Sequence, residues 1–98
     1  MKTFFGGVFI EKIKLMEEGV KYPIKLEYFK TKKEKKNVEA NLGIEVVKTE
    51  FLDDKIKVET KEVNYITGDT SEQERILTLL KNNEVTPIAV EDVLQEIL

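Results

Sequence analysis

Glu45 and Glu62 are the first residues whose placement could do chemistry, because they fall opposite each other if residues 41–66 fold back as a hairpin about Asp53-Asp54. Crowded carboxylates raise one another's pKa, which is one way to make an acid/base pair at neutral pH. Twisted strands more simply splay such side chains into water, and we read them so. Asp53 and Asp54 could attract a hard cation, yet two adjacent carboxylates fall short of the six or more oxygens that calcium takes. Short acidic residues tolerate turn conformations, so these two are read as the hairpin loop. The third candidate is the run K-T-K-K-E-K-K at residues 30–36, where Lys30, Lys32, Lys33, Lys35 and Lys36 form an electrostatic patch suited to nucleic acid or an acidic partner. It contains no Arg, Gly or aromatic residue, and reads more simply as a solvated connection that protects a sheet edge.

Composition removes most other chemistry. The chain has no Cys, so thiol nucleophiles, zinc–thiolate sites and disulfides are excluded, and it has no His, the usual base and metal ligand near neutral pH. Its single Ser, Ser71, sits where a helix cap is expected. Gly6-Gly7 precedes a strand rather than a helix and is no phosphate loop. No catalytic, cofactor or metal residue is assigned, and no enzyme is expected. Of the 98 residues 41% are apolar and 36% charged, the balance of one small globular domain spanning residues 1–98. The apolar run of residues 3–10 is too short to span a membrane and lacks a cleavage pattern, so it is read as a strand and the protein is placed in the cytoplasm.

The elements that must position these residues follow from pattern. In the central hairpin, taking Asp53-Asp54 as the loop sets Glu50 opposite Lys57 and Lys48 opposite Glu59 on one face. Phe51 then meets Ile56, Thr49 meets Val58 and Val47 meets Thr60 on the other, while Ile44 meets Val63 and Leu42 meets Tyr65 further out. The apolar stripe changes faces near Val46-Val47, either because a bulge rotates the strands or because the two ends of the ribbon are covered from opposite sides. Upstream, residues 8–16 and 21–30 form a first hairpin with Gly19 in its turn, pairing Leu15 with Tyr22, Ile13 with Ile24 and Phe9 with Tyr28. Tyr22, Ile24, Leu26 and Tyr28 face the core. A helix then starts at one of Asp69, Thr70 or Ser71, buries Ile76, Leu77, Leu79 and Leu80, and stops in left-handed backbone at Asn82-Asn83. A second buries Val90, Val93, Leu94, Ile97 and Leu98.

The pieces G-I-E-V-V-K, E-V-N-Y-I, L-L-K-N-N and V-T-P-I-A-V-E-D-V-L-Q-E-I-L, in that order, resemble a family of short uncharacterised proteins from anaerobic spore-forming bacteria, over about residues 42–98. Ala89 stands where that family commonly carries His. The resemblance implies a free-standing small cytoplasmic protein and no activity.

The expected fold is α+β, two consecutive β-hairpins forming an antiparallel sheet followed by two short C-terminal helices. Apolar surface exceeds what two short helices cover, and Phe9, Ile10, Val47, Phe51, Ile56 and Val58 are the expected interface. The expected function is a non-catalytic interaction or regulatory module that forms a homodimer, with an unidentified protein as a further possible partner. The alternative is a nucleic-acid-associated accessory protein using the lysines of the N-terminal half, which the acidic net charge of -3 disfavours.

Overall fold

Strand-forming alternation in the first two-thirds of the chain gives way to helical periodicity in the last third, and the structure follows that division. It is a computed structural model, and it describes residues 1–11, 22–35 and 39–98. Four strands, β1 (Lys2–Ile10), β2 (Ile24–Lys32), β3 (Leu42–Phe51) and β4 (Ile56–Thr67), form one antiparallel sheet in the order β1-β2-β3-β4. Helices α1 (Thr70–Asn82) and α2 (Val90–Ile97) follow, joined through a 3₁₀ turn at Pro87–Ala89.

Only one face of the sheet meets the helices. Ile10 of β1, Ile24, Leu26 and Tyr28 of β2, and Ile44 and Val46 of β3 point inward at every second position, where Ile76, Leu77 and Leu80 of α1 and Val90 and Leu94 of α2 close over them. Each such side chain contributes roughly 1.5–3 kcal/mol by leaving water. Tyr28 carries a polar atom into this core, and its hydroxyl donates to the Val85 carbonyl at 2.9 Å, tying the middle of β2 to the turn after α1. Burial, with the Glu84 carboxylate as a lesser cause, pushes this hydroxyl's pKa far above the usual tyrosine range.

The central hairpin has the expected register from Ile44–Val63 to Phe51–Ile56, including Glu50–Lys57 and Lys48–Glu59. No bulge interrupts it at the face switch, so the ribbon's apolar residues do change sides in a regular ladder. The irregularity lies further out, and there the expected Leu42–Tyr65 pair is corrected: Leu42 pairs with Thr67. Gly43 alone on β3 faces three β4 residues, with Tyr65 in left-handed backbone at φ 58°. A Cβ on Gly43 would collide with the Val63 carbonyl, so the bulge requires glycine.

The first hairpin differs from expectation. β1 begins at Lys2 and ends at Ile10, and Phe9 pairs with Lys25 while Tyr28 pairs with Gly6. The expected turn, with Ile13 and Leu15, lies outside the described residues. An extra residue at Phe5 bulges β1, turning Phe4 outward and letting Phe5 pack against the core. Pro23 precedes an interior strand, where its carbonyl accepts from the Phe51 N–H at 3.1 Å.

Asp69 caps α1, its side chain accepting from the Ser71 N–H at 2.8 Å. At the other end the left-handed residue is Glu84 (φ 50°), one position past the expected stop at Asn82-Asn83, where Asn83 has φ -100°. The Val85 N–H bonds the Leu80 carbonyl and the Glu84 N–H that of Lys81, a Schellman closure whose apolar contact is Leu80 with Val85. Gln73, 3% exposed, donates from Nε2 to the carbonyls of Gly43 and Thr31 and so clips α1 onto the sheet end. Leu98, expected in the buried stripe of α2, is 65% exposed.

Tyr28→Phe should cost about 1–2 kcal/mol in urea unfolding, because it leaves the Val85 carbonyl without its donor. The unfolded chain ionises this tyrosine near pH 10 and the folded chain does not. Hence the wild-type protein loses stability as pH rises past about 10, and part of that slope should be absent in the phenylalanine variant.

Candidate functional site

Paired residues of neighbouring strands share a face, so the register places every side chain on the sheet's helix-free side. Phe9, Lys25, Thr49 and Val58 form one row across all four strands, with Val47 and Thr60 beside it and Phe51 and Ile56 nearer the turn. Here lie three of the large exposed apolar side chains: Phe9 at 58%, Ile56 at 62% and Val58 at 57%. Val47 and Phe51 are half-buried, the Phe51 ring leaning on that of Phe9 at 6.2 Å between centroids. Five of the six expected interface residues therefore share one surface. Ile10, the sixth, points the other way and is 6% exposed in the core.

On the helix side the same end of the hairpin carries charge. Lys48, Glu50, Lys57 and Glu59 form a block of alternating sign, paired along the strands: Lys48 to Glu50 at 3.2 Å and Lys57 to Glu59 at 3.6 Å. On β3 and β4 a helix has nothing apolar to pack on there; the buried residues of those rows are Ile10, Ile24 and Leu26 of β1 and β2.

At the far end of the helix-free face stand the two carboxylates. Glu45 and Glu62 are ladder partners as expected, but each has its own lysine: Lys2 to Glu45 at 2.7 Å and Lys33 to Glu62 at 2.7 Å. Lys2 also sits 4.2 Å over the Phe29 ring, against whose edge Phe4 packs. Hydrogen bonding from Lys33 holds the Glu62 carboxyl below its ordinary range. A proton-holding acid needs the reverse.

The lysine run does not form one patch in the described residues. Lys30 crosses to Glu74 of α1 at 2.8 Å, Lys32 lies 3.7 Å from Glu34, Lys33 is taken by Glu62, and Lys35 sits over the Tyr65 ring at 5.7 Å. Lys36 lies outside the described residues. Asp53 and Asp54 form the tight turn, closed by the Leu52 N–H on the Lys55 carbonyl at 2.9 Å. Among the described residues no three His, Cys, Asp or Glu side chains converge as metal ligands. An open groove of about 500 Å³ along α2, lined by Val63, Glu91, Leu94, Gln95 and Leu98, gathers one carboxylate and one amide, and Glu91 is already paired with Lys61.

Sequence reasoning missed the roles of Lys2 and Lys33. Two facing carboxylates demand two cations, but sixteen Lys and Arg residues were on offer and only the position of β1 selects Lys2.

A family model described as "Family of unknown function (DUF6514)" matches residues 8–98, a wider span than the resemblance over residues 42–98. No curated protein matches and no solved structure matches. No helix among the described residues is long and apolar enough to cross a membrane.

The lowered Glu62 pKa has a definite sign. Its contribution to stability is full above the unfolded value of 4.5 and disappears as pH falls through the folded value. Lys33→Met should therefore lower the neutral plateau of a stability-versus-pH curve slightly, leave stability below the folded value unmoved, and so flatten the acid limb between them. Lys2→Met should act differently: it strands Glu45, only 7% exposed, at a cost of about 1–3 kcal/mol. Adding Glu45→Met should recover most of that loss in the same urea titration.

Proposed function

We propose that this chain, which belongs to the family of unknown function whose model matches residues 8–98, is a non-catalytic protein-interaction module that acts by associating with a second copy of itself. The observation that carries the reading is the helix-free sheet surface at the Asp53-Asp54 end. There Phe9, Ile56 and Val58 are more than half exposed and contiguous with Val47 and Phe51. Scattered apolar residues on a surface need no explanation, but a continuous apolar strip marks a place where water is to be displaced. Its chemistry favours a partner that is itself apolar there, and a second copy supplies the same strip. Glu45, Glu62, Lys30 and Lys33, which could have done chemistry, are instead committed to ion pairs.

A nucleic-acid surface draws less support. Lys30 and Lys33 are engaged by Glu74 and Glu62, and Lys25 has Glu27 at 3.6 Å.

Sedimentation equilibrium tests the reading directly. The wild-type chain should run at twice its mass of 11.4 kDa at micromolar concentrations and hold that mass in high salt. The double variant Ile56→Lys/Val58→Lys should run as the single chain. A wild-type protein that stays at the single-chain mass across the accessible concentration range overturns the proposal.

A further inference from the structure

We infer that the second copy docks along the free edge of β4, antiparallel and centred on Val58, so that two sheets become one. This rests on the self-association proposed above and specifies how it is made. Four observations fix the geometry.

The first is which backbone groups are free. β4 has one strand neighbour, β3, so its other edge is unpaired by any strand among the described residues. The Leu52 N–H bonds the Lys55 carbonyl, while the Phe51 N–H turns away to Pro23. Leu52–Lys55 is therefore a bonded pair and Phe51–Ile56 is not. The alternation of an antiparallel ladder then aims the N–H and C=O of Ile56, Val58 and Thr60 outward, away from β3. These are the groups a docking strand needs.

The second is the apolar match. An axis through Val58 sets Val58 against Val58 of the second copy and Ile56 against its Thr60. The helix-free strip Phe51, Ile56, Val58 then runs on into Val58, Ile56 and Phe51 of the other chain without a break.

The third is charge. On the helix side the same register puts Lys57 against Glu59 of the second copy, and Glu59 against its Lys57. The rows across the joined sheet read Lys48, Glu59, Lys57, Glu50 in one direction and Glu50, Lys57, Glu59, Lys48 in the other, alternating in sign throughout. Moving the axis to Lys57 or to Glu59 sets a like charge against itself. Moving it to Thr60 sets Val58 against Glu62, which Lys33 already holds, and draws on Lys61, which Glu91 holds. Moving it to Ile56 sets Lys55 against Lys57, so only the Val58 axis satisfies both faces.

The fourth is the contrast with the other edge. β1 is broken by the bulge at Phe5 and followed by Gly6-Gly7, whereas β4 keeps an unbroken register from Ile56 to Val63. A regular edge is a template for pairing, and an interrupted one is not.

The test uses two full-length charge variants, Lys57→Glu and Glu59→Lys. Each alone opposes like charges twice across the axis, and its dimer dissociation constant in sedimentation should rise by about tenfold or more. Mixed in equal amounts they oppose unlike charges twice, so the mixture should return to the wild-type constant as a heterodimer. Rescue on mixing also shows that each variant was folded. The chain has no native Cys, so Val58→Cys gives a single unambiguous cross-link, and it should oxidise to a covalent dimer. If the wild-type chain dimerises but the charge variants associate as tightly as it does, or fail to recover on mixing, β4 edge pairing is overturned while self-association stands. A wild-type chain that is monomeric overturns both.

Discussion

The rest of the structure depends on a mismatch of length. A helix rises about 1.5 Å per residue and a strand about 3.3 Å, so α1 with 13 residues covers about 20 Å and α2 with 8 about 12 Å. β3 and β4, with 10 and 12 residues, run about 33–40 Å. The helices therefore close over one end of one face, where Ile44 and Val46 are fully buried, and run out before the Asp53-Asp54 turn. The elongated shape, 47 × 26 × 19 Å, is the same fact seen from outside. Towards the turn β3 and β4 still carry apolar residues, but on the opposite face, while Ile10, Ile24 and Leu26 of β1 and β2 keep the helix side buried in the same rows. Lys48, Glu50, Lys57 and Glu59 occupy the side where cover has ended.

This is why the central hairpin was legible in the sequence and the first was not. Between Val47 and Phe51 one face is free of charge and the other carries charges that alternate in sign. From Val47 to Phe51 one register therefore satisfies every pair, with Glu45 against Glu62 the misfit further out, and a slip of one residue would invert them all. β1 offers no such discrimination. Val8, Phe9 and Ile10 are apolar on both faces, and the bulge at Phe5 shifts the alternation partway along. Period-two reasoning then has no contrast to fix on, and it placed Phe9 with Tyr28 when the ladder pairs Phe9 with Lys25. The bulge at Gly43 and Tyr65 was hidden for a related reason. Glycine at that point looks like a weak strand residue until the crowding by the Val63 carbonyl is known.

The apolar surface was legible for the same reason as the hairpin. Val47, Phe51, Ile56 and Val58 follow from the register alone, and Phe9 joins them through the ring contact with Phe51. Ile10 was misplaced because its neighbour Phe9 takes the outer side and sends it inward. The helix-free face at the other end was the least legible part. Glu45 beside Glu62 looks unstable in isolation, and its resolution depends on Lys2, forty-three positions away in sequence and two strands away in the sheet. Ion pairs across a sheet depend on strand order, which sequence pattern does not encode.

A sheet with two open edges faces a choice between a closed dimer and an open polymer, and the two edges of this sheet are unequal in a way that bears on it. The proposed two-fold pairing along β4 would use the same edge twice and leave only β1 edges at the outer margins of the joined sheet. Those margins carry the Phe5 bulge, the Gly6-Gly7 pair and the Lys2 ammonium, all of which work against a further strand. From Ile56 to Thr60 β4 has the opposite character: regular and uncharged on one side, with charges on the other that would accept one register and reject its neighbours. Aggregation needs an edge that pairs with anything, and specificity needs one that pairs in a single way. The alternation of Lys57 and Glu59 about Val58 gives β4 the second property without removing the backbone groups that make pairing possible.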